Sequence, residues 1–252
     1  MNRFVRISIL IALGALAACA SEPEGYSKSP RDAAAYNVQL GIAYLKQGDV
    51  SSAQEKIERA LKQDPQNPAV HTAAALLYDR MGETSRADRH YANAVRMKPK
   101  DAEALNNYAI FLCRNKRSTE GYEMFQKAAA SPLNRAPEVA YTNAGICLRR
   151  DGKLDESQRA FEQALALQPN NREANVELAE LNLARGRAEQ ARDHVLRVLN
   201  MTPVTAEALW LGVRTERALG NAKVADVYAK RLKTEHPAAE QTRALIASER
   251  KP

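Results

Sequence analysis

Aromatic side chains make up only 6% of the 252 residues, and tryptophan occurs once. Glycine and proline number 11 each, which excludes a collagen-like or low-complexity chain. β-Branched residues are outnumbered by Ala, Leu, Glu, Gln, Lys and Arg, so strands are disfavoured and helix is expected throughout. No HExxH, GxSxG, glycine-rich phosphate loop or CxxC pair occurs, and with them go the common signatures of metal, acyl-transfer, nucleotide and dithiol chemistry. What remains is 45% hydrophobic and 27% charged, which excludes both a polytopic membrane protein and a wholly disordered chain. The net charge is +7, but the signs alternate along the sequence as on solvated helix faces. Nucleic acid is therefore not an expected partner, and no cofactor, metal or small-molecule substrate is called for. The chain reads as a non-enzyme.

Residues 1–18 have the form of an export signal. Arg3 and Arg6 are followed by an apolar stretch, Ile7 to Ala18, of 12 residues. That is too short to span ~30 Å of hydrocarbon. The stretch ends Leu16-Ala17-Ala18-Cys19, which resembles a bacterial lipobox and implies acylation of Cys19 after cleavage. Cleavage after Ala20 by ordinary signal peptidase, and retention as a weak anchor, are the competing readings. Ala20 and Ser21 carry no Asp of the kind that resembles an inner-membrane retention signal, so the inner leaflet of the outer membrane, facing the periplasm, is the expected address. Residues 19–33, with Pro23, Gly25 and Pro30, then serve as a tether.

The main signal is periodic. Pro65 to Pro99, Pro169 to Pro203 and Pro203 to Pro237 are each 34 residues apart, and Gly48 and Gly82, then Gly152, Gly186 and Gly220, keep the same interval. A unit of this length, built of two helices, resembles the tetratricopeptide repeat (TPR). Six units follow, over 34–67, 68–101, 102–137, 138–171, 172–205 and 206–237, with a capping helix and tail over 238–252. The fold expected is an all-α solenoid of helix-turn-helix repeats. In each unit small residues such as Ala53 and Ala60 let helix B approach helix A, and a glycine turn separates the two. Units five and six place Val195 and Ala229 where the others carry an aromatic or Ile. His90 and His194 share one place in helices B three units apart, too far to share a metal.

The third unit departs from the pattern. Lys116 stands at the turn glycine's place and Gly121 at the alanine's, while two added residues fall within Ser131–Pro137, where Pro132 and Pro137 predict an extended loop. Cys113 and Cys147 lie on helices A of units three and four, which pack side by side. In an oxidising compartment an even pair favours a disulfide over two separate buried thiols.

Helix A lines the inner face of such a stack. Ala35, Val38, Ile42 and Leu45 of unit one, with Leu76 of unit two, would make the groove apolar at its N-terminal end, a surface suited to an amphipathic helix or extended peptide. Asn107 and Asn143 share place 6 in neighbouring units, free to bind a peptide backbone or the local one. Arg114, Lys116, Arg117, Arg149 and Arg150 gather near the C-terminal ends of two helices A, where the helix dipole favours cations.

Three segments make the resemblance more specific: Asn106-Asn107-Tyr108-Ala109-Ile110-Phe111-Leu112-Cys113, the loop Ser131-Pro132-Leu133-Asn134-Arg135-Ala136-Pro137, and Asn143-Ala144-Gly145-Ile146-Cys147. Together with the repeats they resemble the type IV pilus pilotin lipoproteins, the PilF and PilW family. The resemblance implies six TPRs, an outer-membrane anchor, the cysteine pair, and a role in bringing the pilus secretin subunit to the outer membrane and into its ring. A periplasmic scaffold for peptidoglycan-synthesis enzymes is the alternative.

Overall fold

The computed structural model describes residues 29–250, so the signal, Cys19 and the tether up to Lys28 lie outside the described residues. Among the described residues there are thirteen helices and no strand: α1 (Pro30–Gln47), α2 (Val50–Gln63), α3 (Pro68–Arg80), α4 (Thr84–Met97), α5 (Ala102–Arg114), α6 (Ser118–Ala129), α7 (Pro137–Arg150), α8 (Leu154–Leu167), α9 (Arg172–Ala184), α10 (Ala188–Leu199), α11 (Ala206–Ala218), α12 (Ala222–Glu235) and α13 (Glu240–Glu249). Side-chain caps start most of the odd-numbered helices. The Ser29 hydroxyl accepts from the Asp32 amide, and Asn67, Asp101, Asn171 and Thr205 act in the same way for α3, α5, α9 and α11. The glycine turns are left-handed, with φ between 71° and 82° at Gly48, Gly82, Gly152, Gly186 and Gly220. Lys116 adopts the same turn at φ 60°, against a cost on the order of 1 kcal/mol for a side chain there.

The contact pattern fixes the curvature. Each odd-numbered helix from α1 to α11 touches the next odd-numbered one, whereas among the described residues no even-numbered helix touches another. The even layer is thus splayed and the odd layer compressed, which puts α1, α3, α5, α7, α9 and α11 on the concave face. In units one, four and six the two helices are drawn together at a glycine. A Cβ on Gly41 would lie 2.5 Å from Ile57 Cγ1, and one on Gly145 would lie 2.5 Å from Phe161. Unit six keeps this contact in shifted register: Ala229 is in the aromatic's place, but Tyr228, one residue earlier, packs against Gly212 instead. Tyr78, Tyr91, Phe111, Phe125 and Phe161 are the largest side chains sealed between layers.

The histidines staple units together. His71 Nε2 lies 3.0 Å from the Pro65 carbonyl and His71 Nδ1 lies 2.9 Å from His90 Nδ1. A carbonyl only accepts, so His71 is protonated at Nε2 and receives the His90 Nδ1 proton at its other nitrogen. Unit five repeats the device with Asn175, which donates to the Pro169 carbonyl at 3.0 Å and faces His194 Nδ1 at 3.0 Å. Burial, with the nearby His71, pushes the His90 imidazole down to about 4. Since the unfolded value is near 6.5, the fold favours the neutral ring, and its stabilisation is complete above pH 6.5 and lost as the pH falls toward 4. Between pH 7.5 and pH 5 the unfolding free energy should drop by about 1 kcal/mol from this ring, a value discounted for its partial solvation. Denaturant unfolding at both pH values checks it: in His90→Gln the drop should be visibly smaller, and an unchanged drop refutes the assignment.

At the third junction Cys113 of α5 and Cys147 of α7 are joined in a disulfide, Cα to Cα 5.6 Å. Gly121 of α6 makes room for it, because a Cβ there would meet Cys113 Sγ at 2.7 Å. The inserted segment is not extended as the sequence suggested. The Asn134 amide donates to the Ser131 carbonyl at 3.0 Å, closing a turn in which Pro132 supplies the required φ, and Pro137 opens α7 as its first residue. The Ser131 hydroxyl ties this turn to the Lys100 carbonyl at 2.7 Å.

Candidate functional site

One stripe of α1 supplies the apolar end of the groove. Val38, Ile42 and Leu45 lie at i, i+4 and i+7, so they share a face over two turns. Val38 is buried and forms the floor, while Ile42 and Leu45 are half-buried, as is Leu76 across from them on α3. Two depressions adjoin along this stripe. One of about 380 Å³ is formed by Ile42, Leu45 and Leu76 and rimmed by Lys46, Asp79, Arg80 and Arg114. The other, about 120 Å³, is formed by Val38, Ile42, Ala69, Thr72 and Ala104, with Asp101 and Glu103 at its edge. Ile42 belongs to both, so the apolar surface is continuous.

Three expected groove residues line neither depression. Ala35 is exposed one turn before Val38 and lines neither depression. Asn143 donates to the Asn106 side chain at 3.1 Å, linking α7 to α5, and is therefore engaged between inner helices. Asn107 is half-buried beside that pair and takes no part in it.

From unit two onward the inner helices also hold each other by charge. Arg114 pairs with Asp79 from α5 to α3, Arg149 with Glu177 at 2.8 Å from α7 to α9, and Arg214 with Glu180 at 2.6 Å from α11 to α9. Burial pushes the Glu177 carboxyl up; Arg149 counters this, while Glu173, Glu180 and Glu207 add to it. The basic residues expected to cluster are thus largely dispersed into separate pairs: Arg117 turns to Asp88 at 2.9 Å and Glu120 at 2.6 Å. The sequence reading missed most of these partners because they sit on neighbouring units, 28 to 35 residues away in the chain. It also missed a depression of about 420 Å³ beside the inserted turn, where Leu133 and Val139 are exposed near Asn106 and Arg135. Among the described residues no group of three or more His, Cys, Asp or Glu side chains is placed to hold a metal ion.

Known proteins share this architecture. Profiles of the tetratricopeptide repeat match residues 34–67, 72–135 and 148–211. The type IV pilus assembly protein PilF of Pseudomonas aeruginosa is 28% identical over 200 residues, covering 79% of each chain. The solved structure of Pseudomonas aeruginosa PilF matches with a TM-score of 0.69 at 26% identity, over 88% of this chain and 100% of its own. That of PilW, a widely conserved type IV pilus biogenesis factor, matches with a TM-score of 0.68 at 31% identity, over 84% of this chain and 98% of its own. With the helix pairs in the same succession over nearly the whole of a relative at this identity, the chain belongs to the PilF/PilW family of type IV pilus biogenesis TPR proteins.

Proposed function

We propose that this protein is a non-catalytic adaptor, held at the outer membrane by acylated Cys19, that captures a type IV pilus secretin subunit and promotes its delivery and oligomerisation there. The observation that carries the reading is the apolar end of the groove. Ile42, Leu45 and Leu76 are half-buried apolar side chains that line an open depression on the inner face, at the N-terminal end of the solenoid. Past this depression the inner helices satisfy each other with ion pairs and amides. An apolar depression framed by polar side chains is the surface by which a protein client is held, and the family's part in pilus biogenesis supplies the context.

The test is made in cells that assemble the pilus. Ile42→Asp or Leu45→Asp adds a charge on the half-buried groove stripe, and circular dichroism of the purified protein should show its helicity retained, so that a loss reads on the groove rather than on folding. Secretin oligomers in the outer-membrane fraction should fall at least tenfold. Oligomers at normal level would refute the groove. Replacing Cys19 by Ser should leave a folded protein but shift secretin oligomers out of that fraction, and an unchanged distribution would remove the anchor from the reading. Recovery of a cell-wall synthase with the captured protein, and no secretin, would favour the scaffold alternative.

A further inference from the structure

The groove has a charge direction as well as an apolar floor. Lys46, Arg80 and Arg114 are the last-turn cations of α1, α3 and α5, and because these inner helices lie in one layer their C-terminal ends bring the three side chains to one rim of the larger depression. Arg114 is held by Asp79, whereas Lys46 and Arg80 are exposed at that rim with no carboxylate beside them in any ion pair of the described residues. At the other end of the stripe the smaller depression is edged by Glu103, which is exposed, and by Asp101, which pairs with Lys98 at 2.9 Å. The apolar floor connects these rims along the α1 axis. From Val38 to Leu45 it runs about 10 Å, and the charged rims stand roughly 16 Å apart as measured along α5 from Glu103 to Arg114.

A helix about eleven residues long spans that distance. Stable helices carry acids in the first turn and bases in the last, because the backbone dipole favours them there. Such a helix fits the groove in one direction only. Its acidic first turn meets Lys46 and Arg80, its apolar stripe covers Ile42, Leu45 and Leu76, and its basic last turn reaches Glu103. Its axis then runs antiparallel to α1 and α3, so its dipole opposes theirs. We infer that the client segment is an amphipathic helix with an acidic N-terminal and a basic C-terminal turn, docked antiparallel to α1. This inference rests on the groove reading above and adds the chemistry and direction of the occupant.

Two labelled peptides of about twelve residues test it. Both carry leucines at i, i+4 and i+7; one has Glu in the first turn and Lys in the last, and the other has these charges exchanged, so composition and net charge are equal. Fluorescence anisotropy with the mature protein at low salt should give about tenfold tighter binding of the acid-first peptide, with the ratio shrinking toward one near 0.5 M salt. The acid-first peptide is also the more helical in isolation, so the decisive readout is the ratio in the Lys46→Glu/Arg80→Glu protein. There it should fall below one. A ratio unchanged by the charge reversal, equal binding of both peptides, or binding of neither overturns the inference. Binding of neither is the result expected if the chain's own residues 20–28 or a second copy fill the groove. Equal binding that Leu76→Asp abolishes would retain the groove and discard the direction, and normal secretin oligomers in Ile42→Asp cells would discard the groove itself.

Discussion

Replacing both Cys113 and Cys147 by alanine should lower the unfolding free energy by about 3–4 kcal/mol, because the bridge closes a loop whose ends are 34 residues apart. The loss should be local. In a solenoid each unit is held chiefly by its neighbours, so amide exchange should accelerate in α5 to α8 and remain nearly as before in α11 and α12. The junction needs the bridge more than the others do, since it carries the Lys116 turn and the inserted residues. Gly121 supplies an internal check. Helix propensity alone would favour Gly121→Ala by about 1 kcal/mol. The added methyl would lie 2.7 Å from Cys113 Sγ and 3.0 Å from the Ala109 carbonyl, and overpacking of this kind costs about 1–3 kcal/mol. Gly121→Ala should thus destabilise the oxidised protein and do so less in the double-alanine background. Equal penalties in the two backgrounds, measured by denaturant unfolding, would show that the glycine does not serve the bridge.

The architecture was legible because its determinants are local and repeated. A glycine turn and a boundary proline recur every 34 residues, and two helices with small residues between them have few other ways to pack. The same logic placed Val38, Ile42, Leu45 and Leu76 on one face. Features that depend on pairs of side chains from different units were not legible. Nothing adjacent to Asn143 in sequence says that Asn106 will take its amide, and nothing beside Arg149 names Glu177. The His71–His90 staple was hidden for another reason: a histidine beside a proline-ended helix has no distinctive spacing until the fold brings the Pro65 carbonyl to its ring. The turn at Ser131–Asn134 escaped because two prolines in seven residues suggest extended chain, and a serine hydroxyl bonded to Lys100 decided otherwise. Repetition reveals the scaffold, and the links that join its units depend on interactions between residues distant in the chain.

Phe161→Ala should cost about 3–5 kcal/mol, the range for emptying an aromatic site in a core that cannot collapse. Phe161 has no solvent exposure, and its ring fills the space that Gly145 leaves between α7 and α8. A Cβ on Gly145 would stand 2.5, 2.6 and 2.7 Å from three ring carbons, so the two residues form one fitted contact. Gly145→Ala therefore sets a propensity gain of about 1 kcal/mol against overpacking of about 1–3 kcal/mol, and the net effect should be destabilising. In a Phe161→Leu background the obstruction is smaller, and the same Gly145→Ala change should become neutral or stabilising. That reversal of sign is the measurement that separates this contact from general core packing, because independent sites would give additive losses. Client capture offers the complementary check. The contact lies two units from the groove's apolar end, so Gly145→Ala should leave peptide binding at Ile42 and Leu76 nearly intact while the core loosens. A parallel loss of binding would mean that the unit-four helix angle sets the shape of the groove's far end, and that the solenoid responds as a single spring rather than unit by unit.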